Sequence, residues 1–229
     1  MTHPQEPAPL IPLKGLRGSI ARNVAAGWQA PRVAIGIDVD MSCCKSLLKI
    51  AQSNTPGVRI TITAYILRAI ALTLRVHGSL NALMRDGGIE RIAAVHLGLA
   101  VALEDGVAVP VIRDADGKSV EMLAAESRDL AAHARAGNLP PKAYQSGTFT
   151  VSNLGMTGID WFTPILNPPQ VGILGISRVA ERAVVRAGQV VAAPMTTLTL
   201  VFDHRALDGY PAAVFLRDLR HRLESGEGL

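Results

Sequence analysis

The stretch TTLTLVFDHRALDG, residues 196–209, leads from an apolar segment directly into a polar turn. The run from Leu198 to Val201 predicts a buried strand, because short apolar runs bounded by turn residues are typical of sheet interiors. His204 follows that strand, and Asp208 comes four residues later, a spacing that often mounts an imidazole base. The same spacing is typical of a capping histidine followed by an Asp-Gly turn, so the motif alone leaves both interpretations open.

A second unusual stretch is GTFTVSNLGMTG, residues 147–158, in which a strand ends at Ser152 and Asn153 and continues into a glycine-rich loop. Hydroxyl groups at strand ends mostly hydrogen-bond the backbone, so this signal is weak by itself. The chain has no GxSxG elbow, Walker lysine motif or GxGxxG after a strand, which disfavours serine hydrolase, nucleotide hydrolase and dinucleotide-binding functions. Its six histidines are dispersed and no HExxH is present, so we expect no metal site.

The composition indicates one folded domain that does not bind nucleic acid. With 229 residues and 48% hydrophobic residues, the chain can bury a sizeable core. Only 4% of residues are aromatic, which disfavours proteins that stack bases on aromatic rings. The formal net charge of +4 comes from scattered basic residues, which is compatible with an anionic ligand at most.

The two cysteines and the chain start indicate a reducing, cytoplasmic location. Cys43 and Cys44 are adjacent, so they cannot link distant segments and match no zinc motif. The first ten residues show neither a secretion signal nor a transit peptide. Apolar runs are interrupted well before the roughly 20 residues that span a bilayer, so we expect no membrane association.

Hydrophobic periodicity predicts an α+β domain over residues 13–229, preceded by a flexible lead-in over residues 1–12. The clearest strand is 33–41, where apolar residues alternate with small or acidic ones. The predicted helices are 15–29, 42–53, 63–76, 119–136 and 211–223, and the remaining predicted strands are 96–103, 106–112, 148–151, 171–179, 183–186, 190–193 and 196–202. Long helices set among many strands, with strands clustered late, argue against a regular βαβ alternation.

From Pro12 to about Leu223 the sequence resembles the catalytic domain of dihydrolipoamide acyltransferases, the E2 components of 2-oxo acid dehydrogenase complexes. The motifs that carry the resemblance are PLKGLR at 12–17, SLNA at 79–82, LGLAV at 97–101, VPVIRDAD at 109–116, GTFTVSNLG at 147–155, FTPILNPPQ at 162–170, ILG at 173–175 and DHRALDG at 203–209. Because these motifs keep the family's order and approximate spacing, chance is a poor explanation for them.

The resemblance implies a chloramphenicol acetyltransferase-like fold, with a mixed β-sheet and flanking helices, assembled as a homotrimer whose active sites lie between subunits. It implies that His204 is the general base, that Asp208 supports it, and that the hydroxyl of Ser152 hydrogen-bonds the oxyanion. It further implies structural support of the site by Arg17, Asn153 and Gly209, with Arg17 or Arg22 pairing with Asp208. No metal is implied.

The implied reaction moves an acyl group between coenzyme A and a dihydrolipoyl thiol. Family members usually carry lipoyl and subunit-binding domains ahead of the catalytic fold. Here that fold begins almost at once, so the chain is either a catalytic fragment or uses a lipoyl group supplied in trans by a carrier protein, and we expect such a carrier and dehydrogenase components as partners. Two alternatives stay open: a free-standing CoA-dependent acyltransferase with a non-lipoyl acceptor, and a non-catalytic trimeric scaffold.

Two segments depart from the family pattern. The early helix has Asn23, Val24 and Gly27 where the family tends to have a basic residue, methionine and serine. The chain ends LESGEGL at 223–229, where shell-forming members usually have a leucine-rich tail. We therefore expect a trimer that closes weakly, if at all, into a larger shell.

Overall fold

The computed structural model describes Leu10, residues 12–54 and residues 59–229. The predicted lead-in, residues 1–12, lies outside the described residues apart from Leu10 and Pro12. Within the described ranges the α-helices are α1 (Gly15–Gln29), α2 (Ser42–Asn54), α3 (Ile62–Val76), α4 (Val120–Arg135) and α5 (Gly209–Ser225). None of them is long and apolar enough to cross a membrane.

The strands build one main sheet and a separate hairpin. They are β1 (Arg32–Asp40), β2 (Ala82–Arg85), β3 (Gly88–Arg91), β4 (Leu97–Leu103), β5 (Gly106–Ala108), β6 (Val111–Ile112), β7 (Phe149–Asn153), β8 (Gly172–Ile176), β9 (Ala180–Arg186) and β10 (Gln189–Asp203). The main sheet has the order β1-β10-β8-β7-β4-β5, with β6 on β4 and β9 on β10. Strands β4, β7 and β8 are parallel, whereas β10 is antiparallel to both β1 and β8. The predicted α+β class with a mixed sheet is therefore confirmed.

The two faces of the sheet differ because side chains alternate along each strand. Val151, Leu174 and Leu200 lie on the face that packs into the main core with the helices. On the opposite face, Ile173 and Val201 pack with Leu166 in a small second cluster. We call this second surface the outer face.

Helix α3 lies between α4 and α5 and is more buried than its sequence predicts. The expected amphipathic stripe of Ile66, Leu67, Ile70 and Leu74 is fully buried, but so are neighbours on the other sides of the helix. Arg68, which interrupts the apolar pattern, is satisfied because its guanidinium donates to the backbone carbonyls of the loop before α4. The helix is therefore a central core element.

Small residues form a row across the outer face. The members of this small-residue row are in register on β1, β10, β8, β7 and β4, and they are Gly36, Thr199, Gly175, Ser152 and Ala100. A Cβ added at Gly175 would lie 3.0 Å from Cζ of Phe162 and 3.1 Å from Cδ of Pro164. The segment containing Phe162 and Pro164 thus approaches the sheet closely because this position lacks a side chain.

Three features differ from the predicted elements. The predicted strand 106–112 is two short strands, β5 and β6, which pair with different parts of β4. The predicted strands 190–193 and 196–202 are one continuous strand, since Pro194 lies within β10 opposite Glu181 at the start of β9, and its carbonyl accepts a hydrogen bond from the Met41 N–H. The β2–β3 hairpin was not predicted; its tip is Asp86-Gly87, with Gly87 at φ 84°. Each of its strands is only four residues long, which gives little periodicity to detect.

The close approach at Gly175 gives a stability prediction. We expect Gly175→Ala to lower the free energy of unfolding by about 1–3 kcal/mol, because the methyl group forces Phe162 and Pro164 away from the sheet. The matched control is Gly78→Ala, since a Cβ there meets nothing within 4 Å. Urea unfolding of both variants measures the difference, and equal stabilities would show that the segment yields freely.

Candidate active site

His204 occupies the turn that connects β10 to α5. Its backbone N–H donates to the carbonyl of Pro31 at 2.8 Å, which ties the turn to the segment preceding β1. The ring lies 5.8 Å from the buried ring of Phe202, and 46% of the side chain is exposed. The imidazole is therefore held at the surface, where a ligand can reach it.

Asp208 lies beside His204 but is loosely held. One carboxylate oxygen, Oδ1, is 3.8 Å from Nδ1 of His204, and 86% of the side chain is exposed. Asp208 precedes α5 at the N-cap position, yet its side chain makes no capping hydrogen bond. The Nδ1 side of the imidazole thus faces a carboxylate, which leaves Nε2 directed elsewhere.

Gly209, which the resemblance implies as structural support of the site, begins α5. Its φ is outside the left-handed region, and a Cβ at this position would meet nothing within 4 Å. The turn therefore does not require glycine in this chain.

Ser152 lies near the end of β7 on the outer face. It pairs with Ala100 on β4 and with Gly175 on β8, and its side chain is half-buried. Phe149 and Val151 on the same strand point into the core, so Thr150 and Ser152 point away from it. Within the described part of the chain the Ser152 hydroxyl makes no hydrogen bond, so its donor is available to a ligand.

Asn153 fixes the end of β7. Its Nδ2 donates to the hydroxyl of Thr63 in the first turn of α3 at 3.1 Å, and its Oδ1 accepts from the backbone N–H of Gly155 at 2.8 Å. One side chain thus joins the strand carrying Ser152 to the central helix and to the following loop.

A hydrogen-bonded chain that the sequence analysis missed joins α1 to the strand of Ser152. Asn23 donates to Asn167 at 2.8 Å, and Asn167 donates to the Thr150 hydroxyl at 3.3 Å. Thr150 in turn donates to Oε1 of the buried Gln170 at 2.5 Å. Thr150 and Ser152 share the outer face, so this chain borders the candidate site.

His204 and Ser152 do not meet within one chain. Ser152 is in register with Gly175, which is in register with Thr199, so His204 lies five residues beyond the level of Ser152. Five residues of strand span about 16.5 Å, and the two intervening strand spacings add about 9.6 Å sideways. The two side chains therefore lie near opposite ends of the sheet, about 19 Å apart.

The predicted partner of Asp208 is also distant within one chain. Arg17 lies 12 residues before the end of α1, a separation of about 18 Å along the helix. Arg22 donates to the hydroxyl of Ser19 at 3.1 Å. Neither arginine contacts Asp208 in the ranges that the structure describes, so the pairing of Arg17 or Arg22 with Asp208 remains a prediction.

A pair of charges flanking His204 was not singled out from the sequence. Asp203 is buried, and Nη2 of Arg205 lies 2.6 Å from its Oδ2. Hydrogen bonds to Asp203 raise the pKa of the Arg205 guanidinium. The sequence signal that could have identified this pair is the placement of opposite charges on the two sides of one histidine.

Cys44 and His96 are both held by the surrounding fold. Burial raises the pKa of the Cys44 thiol to about 12, so it stays protonated at neutral pH. His96 accepts a hydrogen bond from the Asp114 N–H at its Nδ1, at 2.9 Å, and lies just before β4. No cluster of three or more metal-binding side chains occurs among the described residues.

The mixed sheet with its flanking helices has the fold of chloramphenicol acetyltransferase. A solved chloramphenicol acetyltransferase matches 93% of this chain and 98% of its own at TM-score 0.55 and 14% identity, which establishes likeness of fold alone. The family model for the 2-oxoacid dehydrogenases acyltransferase (catalytic domain) matches residues 5–229. The chain belongs to this family, which confirms the resemblance noted in the sequence.

One curated relative is the dihydrolipoyllysine-residue acetyltransferase component of the acetoin cleaving system of Bacillus subtilis (strain 168). It is 37% identical over 98% of this chain and 58% of its own length. The corresponding component of the B. subtilis pyruvate dehydrogenase complex is 36% identical over 92% of this chain and 49% of its own. The chain thus spans about half the length of these relatives.

A solved dihydrolipoamide acetyltransferase from Azotobacter vinelandii superposes at TM-score 0.92 with 32% identity, covering 97% of this chain and 94% of that one. That structure belongs to an investigation of one serine, one histidine and one asparagine in the catalytic mechanism. There the histidine follows the serine by 52 positions, and the asparagine follows the histidine by four. Ser152, His204 and Asp208 have the same two spacings, with aspartate in the third position.

The contacts of Asn153 give a second prediction. We expect Asn153→Ala to lower the free energy of unfolding by about 1–3 kcal/mol, because it removes two hydrogen bonds and leaves the Gly155 N–H without its partner. Thr63→Val removes one bond only, so its effect is about 0.5–1.5 kcal/mol. Thermal and urea unfolding test the order of the two variants, and a larger effect of Thr63→Val would contradict it.

Proposed function

We propose that this chain transfers an acetyl group between coenzyme A and a dihydrolipoyl thiol. The observation that carries the proposal is the shared spacing of Ser152, His204 and Asp208 with the serine, histidine and asparagine of the A. vinelandii acetyltransferase. The acetyl group is inferred from the two B. subtilis relatives, both of which are acetyltransferase components.

His204 acts as the general base for the attacking thiol. A free thiol has a pKa of about 8.5, so at neutral pH most of it is protonated and poorly nucleophilic. Because Nδ1 faces Asp208, the free Nε2 takes the proton from the thiol sulfur as that sulfur attacks the thioester carbonyl. Such proton transfer contributes about 10²- to 10⁴-fold in rate. The proton then passes from His204 to the departing thiolate when the intermediate collapses.

Ser152 stabilises the tetrahedral intermediate. Attack on the thioester carbonyl places a negative charge on its oxygen, and the unengaged hydroxyl of Ser152 donates a hydrogen bond to it. Loss of one such donor costs about 2.7–4 kcal/mol in the transition state. The exposed carboxylate of Asp208 stabilises the imidazolium by at most about 1 kcal/mol, because solvent screens an exposed ion pair.

The active site is completed by a second copy of the chain. Since about 19 Å separates Ser152 from His204 within one chain, the two groups act on one thioester only if neighbouring copies supply them. We therefore place the site between subunits of a homotrimer, as the resemblance implies. Coenzyme A and the dihydrolipoyl group are its substrates, and a lipoyl carrier domain outside this catalytic fold presents the latter to it and to the dehydrogenase partners.

The activity has a direct test. We expect the purified protein, given acetyl-CoA and free dihydrolipoamide, to form S-acetyl-dihydrolipoamide detectable by chromatography. His204→Ala is expected to lower kcat by about 10²- to 10⁴-fold, and Ser152→Ala by about 10²- to 10³-fold. Asp208→Asn is expected to retain most activity, since the relative carries asparagine at this spacing.

The acetyl-transfer assay can give two negative results, and each favours a different alternative function. Turnover of acetyl-CoA with another nucleophile, but not with dihydrolipoamide, would favour a free-standing acyltransferase. Absence of turnover in an intact trimer would favour the non-catalytic scaffold.

The division of the site between copies can be tested by mixing inactive chains. Co-expression of His204→Ala and Ser152→Ala chains in equal amounts is expected to restore about one quarter of wild-type activity, because a head-to-tail contact pairs an intact His204 with an intact Ser152 in that fraction of sites. Each variant expressed alone is the control. A site contained within one chain would show no recovery in the mixed sample.

A further inference from the structure

Asp203, the residue before His204, has a carboxylate that binds Arg205, the residue after it. Asp203 is the last residue of β10, and only 3% of its side chain is exposed. Its Oδ1 accepts from the backbone N–H and from Nε of Arg205, both at 3.0 Å, and its Oδ2 accepts from Nη2 at 2.6 Å. Nε of Arg205 also donates to Oδ2 at 3.2 Å, so the residues on either side of His204 are joined by four hydrogen bonds.

The backbone of the same turn is closed around Asp203. The Asp203 carbonyl accepts from the N–H groups of Ala206 and Leu207, at 3.0 and 3.2 Å. The Asp203 N–H donates to the carbonyl of Val171 at 2.9 Å, which joins the turn to the residue before β8. With the His204 N–H bonded to Pro31, the turn has few ways to move without breaking a hydrogen bond.

Because Asp203 is buried, its ion pair with Arg205 strongly constrains the His204 turn. A buried carboxylate without a partner is costly, so Asp203 holds Arg205 near the fork geometry that satisfies both of its oxygens. Asp208 contrasts with it, since it is almost fully exposed and makes no capping bond. The orientation of the His204 turn therefore depends more on Asp203 than on Asp208.

We propose that Asp203 and Arg205 are positioning residues that fix the imidazole of His204 for proton transfer, a role that rests on the proposed function. The two residues hold the backbone on both sides of His204 and leave its ring free to contact the thiol. We call this ion pair of Asp203 and Arg205 the His204 clamp.

Kinetics of Asp203→Asn and Arg205→Lys test the role. Asparagine places an amide donor against the guanidinium, and lysine cannot span both carboxylate oxygens. We expect kcat for acetyl transfer to fall by about 10- to 100-fold in Asp203→Asn and less in Arg205→Lys, with KM within about twofold, because misplacing a catalytic group slows chemistry more than binding. Arg220→Lys is the matched control, since Arg220 pairs with Glu224 on α5, remote from the turn. A rise in KM with kcat preserved, or an equal loss in Arg220→Lys, would overturn the proposal.

A spectroscopic measurement separates failure of this inference from failure of the proposed function. The ring ¹⁵N and ¹H signals of His204, assigned by their absence in His204→Ala, report its tautomer and mobility without any substrate. We expect these signals to shift or broaden in Arg205→Lys and to be unchanged in Arg220→Lys. Unchanged His204 signals in a folded Arg205→Lys protein would refute the clamp even if acetyl transfer is confirmed. If Asp203→Asn does not fold, Arg205→Lys alone decides the outcome.

Discussion

The antiparallel pairing of β10 with β8 determines where the two proposed catalytic residues, Ser152 and His204, lie in the sheet. Ser152 is near the end of β7, which runs parallel to β8, whereas His204 follows the end of β10, which runs the other way. The opposite strand directions therefore place Ser152 and His204 near opposite ends of the sheet. With β10 parallel to β8, both would lie at one edge and a single chain could hold the whole site.

Different hydrogen bonds hold the two segments that carry Ser152 and His204. Asn153 fixes the strand of Ser152 by joining it to α3 and to the next loop. The turn of His204 is closed by Asp203 and Arg205, which lie immediately beside it in the sequence. The strand of Ser152 thus depends on a contact between residues 90 positions apart, whereas the turn of His204 combines a contact between near neighbours with hydrogen bonds to the distant Pro31 and Val171.

Periodicity predicted most of the elements, because helices and strands of this length repeat a burial pattern many times. Helix α1 has the predicted bounds, and β1 alternates as expected. The motifs singled out Ser152 and His204, but their separation depends on the register of three strands, which no local pattern records. The hydrogen bond from Asn23 to Asn167 joins residues 144 positions apart and was equally invisible. Pro194 lies at the predicted break between strands 190–193 and 196–202, which are one strand in the structure. The effect of a proline depends on which partner strand lies beside it, and the sequence does not show this.

The placement of Ser152 and His204 near opposite ends of one packed sheet constrains how copies of this chain associate. When complementary halves lie at opposite ends of a subunit, the contact between copies is head-to-tail, and such contacts either close into a ring or extend into a filament. The rotation that brings the His204 end of one copy against the Ser152 end of the next decides which of the two forms. The relative orientation of the two ends of one subunit therefore determines how many copies close a ring.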